Sequence, residues 1–171
     1  MLSGKPTGSV ASAKPGYRFV GWFSDEECTE LLWDKEAFIP SQDTASGLFE
    51  DASCYAKFEE ILGSLTVKKS GWSSVDANQG FIFRVTSTAL VNTNHPAVDM
   101  YVTVQGNGSV TIYDLPIGTY TVTEESGWSW RYSSDGAKTA EVDEDGAEVT
   151  VTNSRTNGHW LSGSAFVINK S

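Results

Sequence analysis

The stretch Leu115–Trp128, LPIGTYTVTEESGW, decides how the rest of the chain is read. Pro116-Ile117-Gly118 has turn chemistry, and side chains alternate along the strand it launches, so Tyr120, Val122 and Glu124 share one face while Glu125 lies on the other. A carboxylate therefore ends an apolar face. An ionised carboxylate is costly to bury unless a partner compensates it or it takes up a proton. Glu124 calls for partners from elsewhere in the chain.

Two other strands supply them. In Leu65–Lys69, LTVKK, the side chains of Leu65, Val67 and Lys69 fall on one face and those of Thr66 and Lys68 on the other. In Glu148–Asn153, EVTVTN, the inward set is Val149, Val151 and Asn153. Three polar groups thus end three apolar faces. If the first and last strands pair side by side, with the Glu124 strand facing them across the core, an amine, an amide and a carboxyl meet in a dry interior. The chemistry open to them is amide transfer. Desolvation lowers the pKa of a buried lysine, leaving a neutral amine able to attack the Asn153 side-chain carbonyl. Glu124 can donate a hydrogen bond to that carbonyl oxygen and carry protons to the departing ammonia. Effective molarities of about 10⁵ M or more, reached when groups are held in contact, make a slow single turnover credible. The product is a Lys69–Asn153 isopeptide bond. The plainer alternative is a Lys69–Glu124 ion pair with Asn153 as a hydrogen-bonding neighbour.

Further strands are expected at Phe81–Thr86, Asp99–Gln105, Ser109–Tyr113, Trp130–Tyr132 and Lys138–Val142, with Gly106-Asn107-Gly108 as a hairpin turn between the second and third of these. Strands at this spacing, separated by turn signals, indicate an antiparallel Greek-key β-sandwich. Upstream, the segment before Tyr17 is small, polar and broken by prolines and glycines, so it reads as a lead-in. Tyr17–Phe23, YRFVGWF, is an aromatic strand packed on both faces. Ser24 followed by Asp25, Glu26 and Glu27 has capping-box spacing, and a short helix is expected from there to about Leu32. Strands are expected again at Lys35–Ile39 and Ser53–Glu59. The fold class is mainly β: a β-grasp-like module with one short helix over residues 1–62, a sandwich over 63–156, and a C-terminal extension or linker over 157–171.

Composition bounds the function. A chain of 171 residues, 39% hydrophobic and 12% aromatic, can bury one substantial core or two small ones. The formal net charge is -10, and acids exceed bases in both halves, which argues against nucleic acid or an anionic membrane surface as partner. No apolar run is long enough to span a bilayer, so membrane insertion of this segment is not expected. The sequence ends in mid-pattern at FVINKS, and the expectation is a fragment of a longer protein, so missing export signals say little about the parent. No catalytic triad spacing, phosphate loop or zinc pattern stands out, and His95 and His159 are read as surface residues. The acids of Asp143-Glu144-Asp145-Gly146 fit a solvated hairpin turn better than a calcium loop. No metal or cofactor is expected, and no enzyme activity beyond self-crosslinking.

Two family resemblances add to this reading. The residues PGYRFVGWFSDEECTELL and YAKFEE, within about Gly8 to Glu60, resemble the Listeria–Bacteroides type repeat of bacterial surface proteins, including the internalin B-repeats. That resemblance implies a small β-grasp module with a spacing or adhesive role. From Ser64 to Ser154, LTVKK, FIFRV, LPIGTYTVTEE and VTVTN are similar to collagen-adhesin B-type domains and the pilin shaft domains of Gram-positive bacteria. There the lysine of the first strand, the glutamate ending TYTVTE and the asparagine of the last strand form an intramolecular isopeptide bond, and they map onto Lys69, Glu124 and Asn153. SGWSWRY departs from the Pro-Gly-Tyr stretch usual after the glutamate. Both resemblances imply a stalk or adhesin segment of an extracellular, wall-associated protein, with neighbouring domains of the same protein as partners.

Two features stay open. Cys28 and Cys54 can form a disulfide, or Cys54 can serve as a small buried hydrophobe beside Ala56 and Phe58. Trp128, Trp130 and Tyr132 alternate onto one face and can stack on sugar rings, so a module binding host or dietary glycans or proteins is the alternative function; aromatics at this period more often belong to the core.

Overall fold

In a computed structural model, residues 6–49, 53–71, 77–88, 96–127, 129 and 131–155 are described. The chain divides into two compact units, the first running to Ile61 and the second starting at Leu62.

The first unit contains β1 (Ser9–Val10), β2 (Tyr17–Phe23), β3 (Leu31–Trp33), β4 (Ala37–Phe38) and β5 (Tyr55–Glu60). β2 is the centre of an antiparallel sheet in the order β3-β2-β5, and β1 pairs with β4. Trp22 anchors it. Its ring packs near Phe19 and Phe38, with centroids 5.9 Å from each, and its indole N–H donates to the Glu36 carbonyl at 3.1 Å.

The expected helix after Ser24 does not form. Asp25 accepts instead from the backbone N–H groups of Thr29 and Glu30 at 2.9 and 2.7 Å, and the Cys28 N–H donates to the Asp25 carbonyl at 3.1 Å. Cys28 has φ of 53°, a left-handed conformation that ends any helical run. The Ser24 N–H then donates to the Glu30 carbonyl at 3.0 Å, closing the segment into a loop, and Leu31–Trp33 is taken up as β3 along β2. The capping residues were legible, but a turn uses the same donors and acceptors as a helix start.

The second unit is a β-sandwich. Its strands are β6 (Leu62–Gly71), β7 (Gly80–Ser87), β8 (Asp99–Gln105), β9 (Ser109–Pro116), β10 (Gly118–Glu124), β11 (Tyr132–Ser134), β12 (Lys138–Val142) and β13 (Ala147–Arg155). One sheet has the order β12-β10-β7-β8 and the other β11-β13-β6-β9. The core between them consists of alternate residues of these strands, including Leu65, Val67, Phe81, Phe83, Val85, Val122 and Val151, all fully buried. Pairing is antiparallel except between β6 and β13, the first and last strands, which lie side by side and parallel with Val151 opposite Lys69.

Two turns differ in what they do from what their residues suggest. Gly106-Asn107-Gly108 does not close a hairpin: β8 and β9 belong to different sheets, so the turn carries the chain across the sandwich. The Gly106 N–H donates to the Gln79 carbonyl at 2.8 Å and the Lys69 N–H to the Gly108 carbonyl at 2.9 Å, tying it to both sides. The Pro116–Gly118 turn likewise passes from one sheet to the other. Tyr120 fixes that corner, its hydroxyl donating to the Pro116 carbonyl at 2.7 Å. The LPIGTY residues thus form a crossing: a Pro carbonyl accepts from a Tyr two strand positions past a Gly with φ of 147°.

Candidate functional site

The buried polar residues of the second unit are Lys69, Glu124, Ser129 and Asn153, with exposures of 2%, 7%, 2% and 2%. Lys69 stands on β6 and Asn153 on β13, neighbours in one sheet, whereas Glu124 ends β10 in the other. The side-chain amide of Asn153 reaches across the sandwich and donates from Nδ2 to Glu124 Oε1 at 2.8 Å. Lys69 and Asn153 thus stand on paired strands of one sheet, and Glu124 meets Asn153 from the opposite one.

The lysine is held by weak partners. Its Nζ donates to the Ser70 carbonyl at 2.8 Å and to the Val151 carbonyl at 3.4 Å, and lies 4.6 Å from the centroid of the Phe81 ring. Among the described residues no carboxylate lies within 4 Å of it, so the Lys69–Glu124 ion pair is not made. Burial pushes its pKa below the usual 10.5, with the more distant charges of Glu124 and Asp135 opposing that shift. Proton loss is therefore easier for this amine than for an exposed lysine.

Two acceptors in the cluster have no donor: Glu124 Oε2 and Asn153 Oδ1. A buried acceptor left unmatched costs about 1–3 kcal/mol, so a pair of them on adjacent side chains calls for an explanation. Both groups already share one hydrogen bond, Nδ2 to Oε1.

The surroundings hold β13 in place. Asp135 exchanges two hydrogen bonds with Thr152, its N–H donating to the Thr152 carbonyl at 2.9 Å and its Oδ1 accepting from the Thr152 N–H at 3.0 Å. Burial works against its ionisation, but Lys138 and the Thr152 N–H outweigh that and hold the Asp135 carboxyl below the usual range. The Ser134–Asn153 register continues this pairing on β11.

Ser129 was not legible from strand parity, because it lies in the turn after β10 and not in a strand. Its hydroxyl donates to Glu124 Oε1 at 2.5 Å. The only hint in the sequence was that SGWSWRY departs from the expected loop.

The other residues singled out from the sequence lie elsewhere. Tyr132 is half-buried and meets Phe81 edge-on, with ring centroids 5.3 Å apart, so it backs the ring beneath Lys69. Trp128 and Trp130 fall outside the described residues, as do His95 and His159. Cys28 and Cys54 carry free thiols in the first unit, and Cys28 Sγ approaches the Glu26 carbonyl at 3.7 Å.

A mainly antiparallel sandwich with a lysine, a glutamate, a serine and an asparagine buried in its core defines the class of this unit. Residues 64–156, more than half of the chain, match the family model described as "Domain of unknown function (DUF5979)", and the chain belongs to that family. No curated protein matches it. Among solved structures it is similar to a major pilin protein (T3.2) of Streptococcus pyogenes, with 18% identity, 85% of this chain and 64% of that one covered, and a TM-score of 0.47. The backbone protein of group B streptococcus pilus 2b gives 21%, 60%, 44% and 0.43 for the same quantities. A pilus-presented adhesin gives 16%, 56%, 28% and 0.41. The chain spans less than two thirds of the length of each of these three.

Proposed function

We propose that this chain is a structural segment of a bacterial cell-surface protein whose sandwich closes itself with a Lys69–Asn153 isopeptide bond. The observation that carries this reading is the Asn153 Nδ2–Glu124 Oε1 hydrogen bond at 2.8 Å in an interior that also holds a desolvated lysine. In the reaction the Lys69 amine attacks Asn153 Cγ, the Cγ–Nδ2 bond breaks, and ammonia leaves. Glu124 polarises the carbonyl through a proton on Oε2 and moves the proton released from Nζ to the departing nitrogen. One amine and one amide give one secondary amide and one ammonia, with no cofactor consumed.

The position of the bond suits a load-bearing element. β6 and β13 are the first and last strands of the unit, adjacent and parallel. Tension entering at Leu62 and leaving at Arg155 would pass through the Lys69–Asn153 link and bypass the strands between them. Treated like a disulfide of that span, a closed loop of about 85 residues is worth about 4–5 kcal/mol. On this reading residues 63–156 are a collagen-adhesin B-type domain, residues 1–62 a spacer repeat of the Listeria–Bacteroides type, and residues 157–171 an extension toward neighbouring domains of the parent.

Intact mass spectrometry of the reduced chain tests the proposal. The expected mass is one ammonia below that of the sequence, and Glu124→Ala should restore the missing ammonia. A wild-type mass equal to the sequence mass would sink the crosslink.

A further inference from the structure

We propose that Ser129 is a positioning residue for the crosslinking step, selecting which oxygen of Glu124 carries the proton; this rests on the isopeptide reading above. Glu124 is a symmetric group, and its two oxygens are made unequal only by their neighbours. Oε1 accepts from Ser129 Oγ at 2.5 Å and from Asn153 Nδ2 at 2.8 Å, whereas Oε2 has no partner. Two donors on Oε1 leave Oε2 as the oxygen to which a proton adds, and Oε2 belongs to the same pair of groups as the unmatched Asn153 Oδ1. The serine thereby directs the acid proton at the amide carbonyl instead of at the amide nitrogen.

The backbone around Ser129 is built to deliver this hydroxyl. Its N–H donates to the Ser126 carbonyl at 3.2 Å, and its carbonyl accepts from the Tyr132 N–H at 2.7 Å, so two successive turns bracket the residue between β10 and β11. β10 is anchored just before it, the Glu125 N–H donating to the Ile82 carbonyl at 2.8 Å. The chain thus leaves Glu124, reverses and returns a side chain five positions later to the same carboxyl. A buried serine fixed by backbone at both of its amide groups loses little further freedom in making that bond, which favours preorganisation.

The reaction itself is unchanged in balance. Ser129 neither gains nor loses a proton overall; it donates one hydrogen bond before and after ammonia departs. Removing it leaves Oε1 with one donor, Asn153 Nδ2, and weakens the preference of the proton for Oε2.

The test is a time course of intact mass for the full chain after a pulse of cell-free synthesis, for the wild type, Ser129→Ala, Ser129→Cys and Ser129→Thr. Loss of a hydrogen bond to the neutral acid should slow ammonia release about twofold to tenfold in the Ala variant. The Cys variant, similar in size but a weak donor, should be slow as well, and Thr, which restores the hydroxyl, should bring the rate back toward wild type. Near-ultraviolet circular dichroism reports whether each variant has packed its core. Ala and Cys variants that lose ammonia at the wild-type rate would overturn the role of Ser129 while leaving the crosslink standing. A folded Thr variant as slow as Ala would overturn it too, because packing and not the donor would then control the rate. A wild type that never loses ammonia would overturn the inference together with the reading beneath it.

Discussion

The two units use the same alternation of side chains to different depth. In the second, two four-stranded sheets face each other, and Leu65, Val67, Phe81, Phe83 and Val122 are sealed completely. In the first, sheets of three and two strands bury Ala11, Trp22 and Phe23, while Leu31, Leu32 and Trp33, all of β3, stay 56%, 46% and 47% exposed. Small sheets have too little facing area to cover every apolar side chain. The difference explains where polar chemistry can reside. Only an interior closed on both faces can keep Lys69, Glu124, Ser129 and Asn153 away from water, where an amine is driven toward its neutral form.

That contrast gives four expectations, from the largest effect to the smallest. Asn153→Ala removes the electrophile of the proposed bond, and the unfolding free energy of the second unit should fall by about 4–5 kcal/mol. Scanning calorimetry should show its transition move while that of the first unit stays in place; a common shift of both would break the comparison. Leu65→Ala opens a cavity in a sealed core and should cost the second unit about 3 kcal/mol, whereas Leu31→Ala in the exposed β3 should change the first unit by about 0.5 kcal/mol or less, both read from denaturant unfolding.

The third expectation concerns pH. In an Asn153→Ala chain Lys69 remains a free amine whose folded pKa lies below the unfolded 10.5. Between those two values the unfolded chain binds more protons, so stability rises with pH, by at most about 1.4 kcal/mol per unit, and falls as pH drops toward the folded value. Adding Lys69→Met should flatten that slope, which chemical denaturation at several pH values would register. The smallest effect belongs to the exposed loop of the first unit. Backbone N–H groups of Thr29 and Glu30 hold the Asp25 carboxyl below the usual 3.8. Its contribution is present above that value and is lost as pH falls through the lower folded one, so Asp25→Ala should lower the melting temperature of the first unit at neutral pH and leave it nearly unchanged in strong acid.

What was legible followed from alternation. Parity along LTVKK, TYTVTE and VTVTN selected Lys69, Glu124 and Asn153, because a strand leaves a side chain only two directions to point. Alternation is silent outside strands, and Ser129 was missed for that reason. The loop at Asp25 resembles a helix start for a related reason: capping signals describe donors and acceptors, and the left-handed Cys28 that decides between turn and helix carries no signal of its own, since it is not a glycine. The Gly106–Gly108 turn was placed correctly but assigned to a hairpin, because turn residues fix a reversal and not the sheet to which the next strand belongs.

Peptide mapping reads the proposed bond between Lys69 and Asn153 directly. Trypsin cuts after lysine and arginine, so an unlinked chain should release Ser70–Arg84 and Thr139–Arg155 as separate peptides. A crosslinked chain should give a single branched species in which Lys69–Arg84 is joined to Thr139–Arg155, one ammonia lighter than the two together, with fragmentation placing the junction at Lys69 and Asn153. Recovery of the two peptides unjoined, with free Lys69 and an intact Asn153 amide, would contradict it.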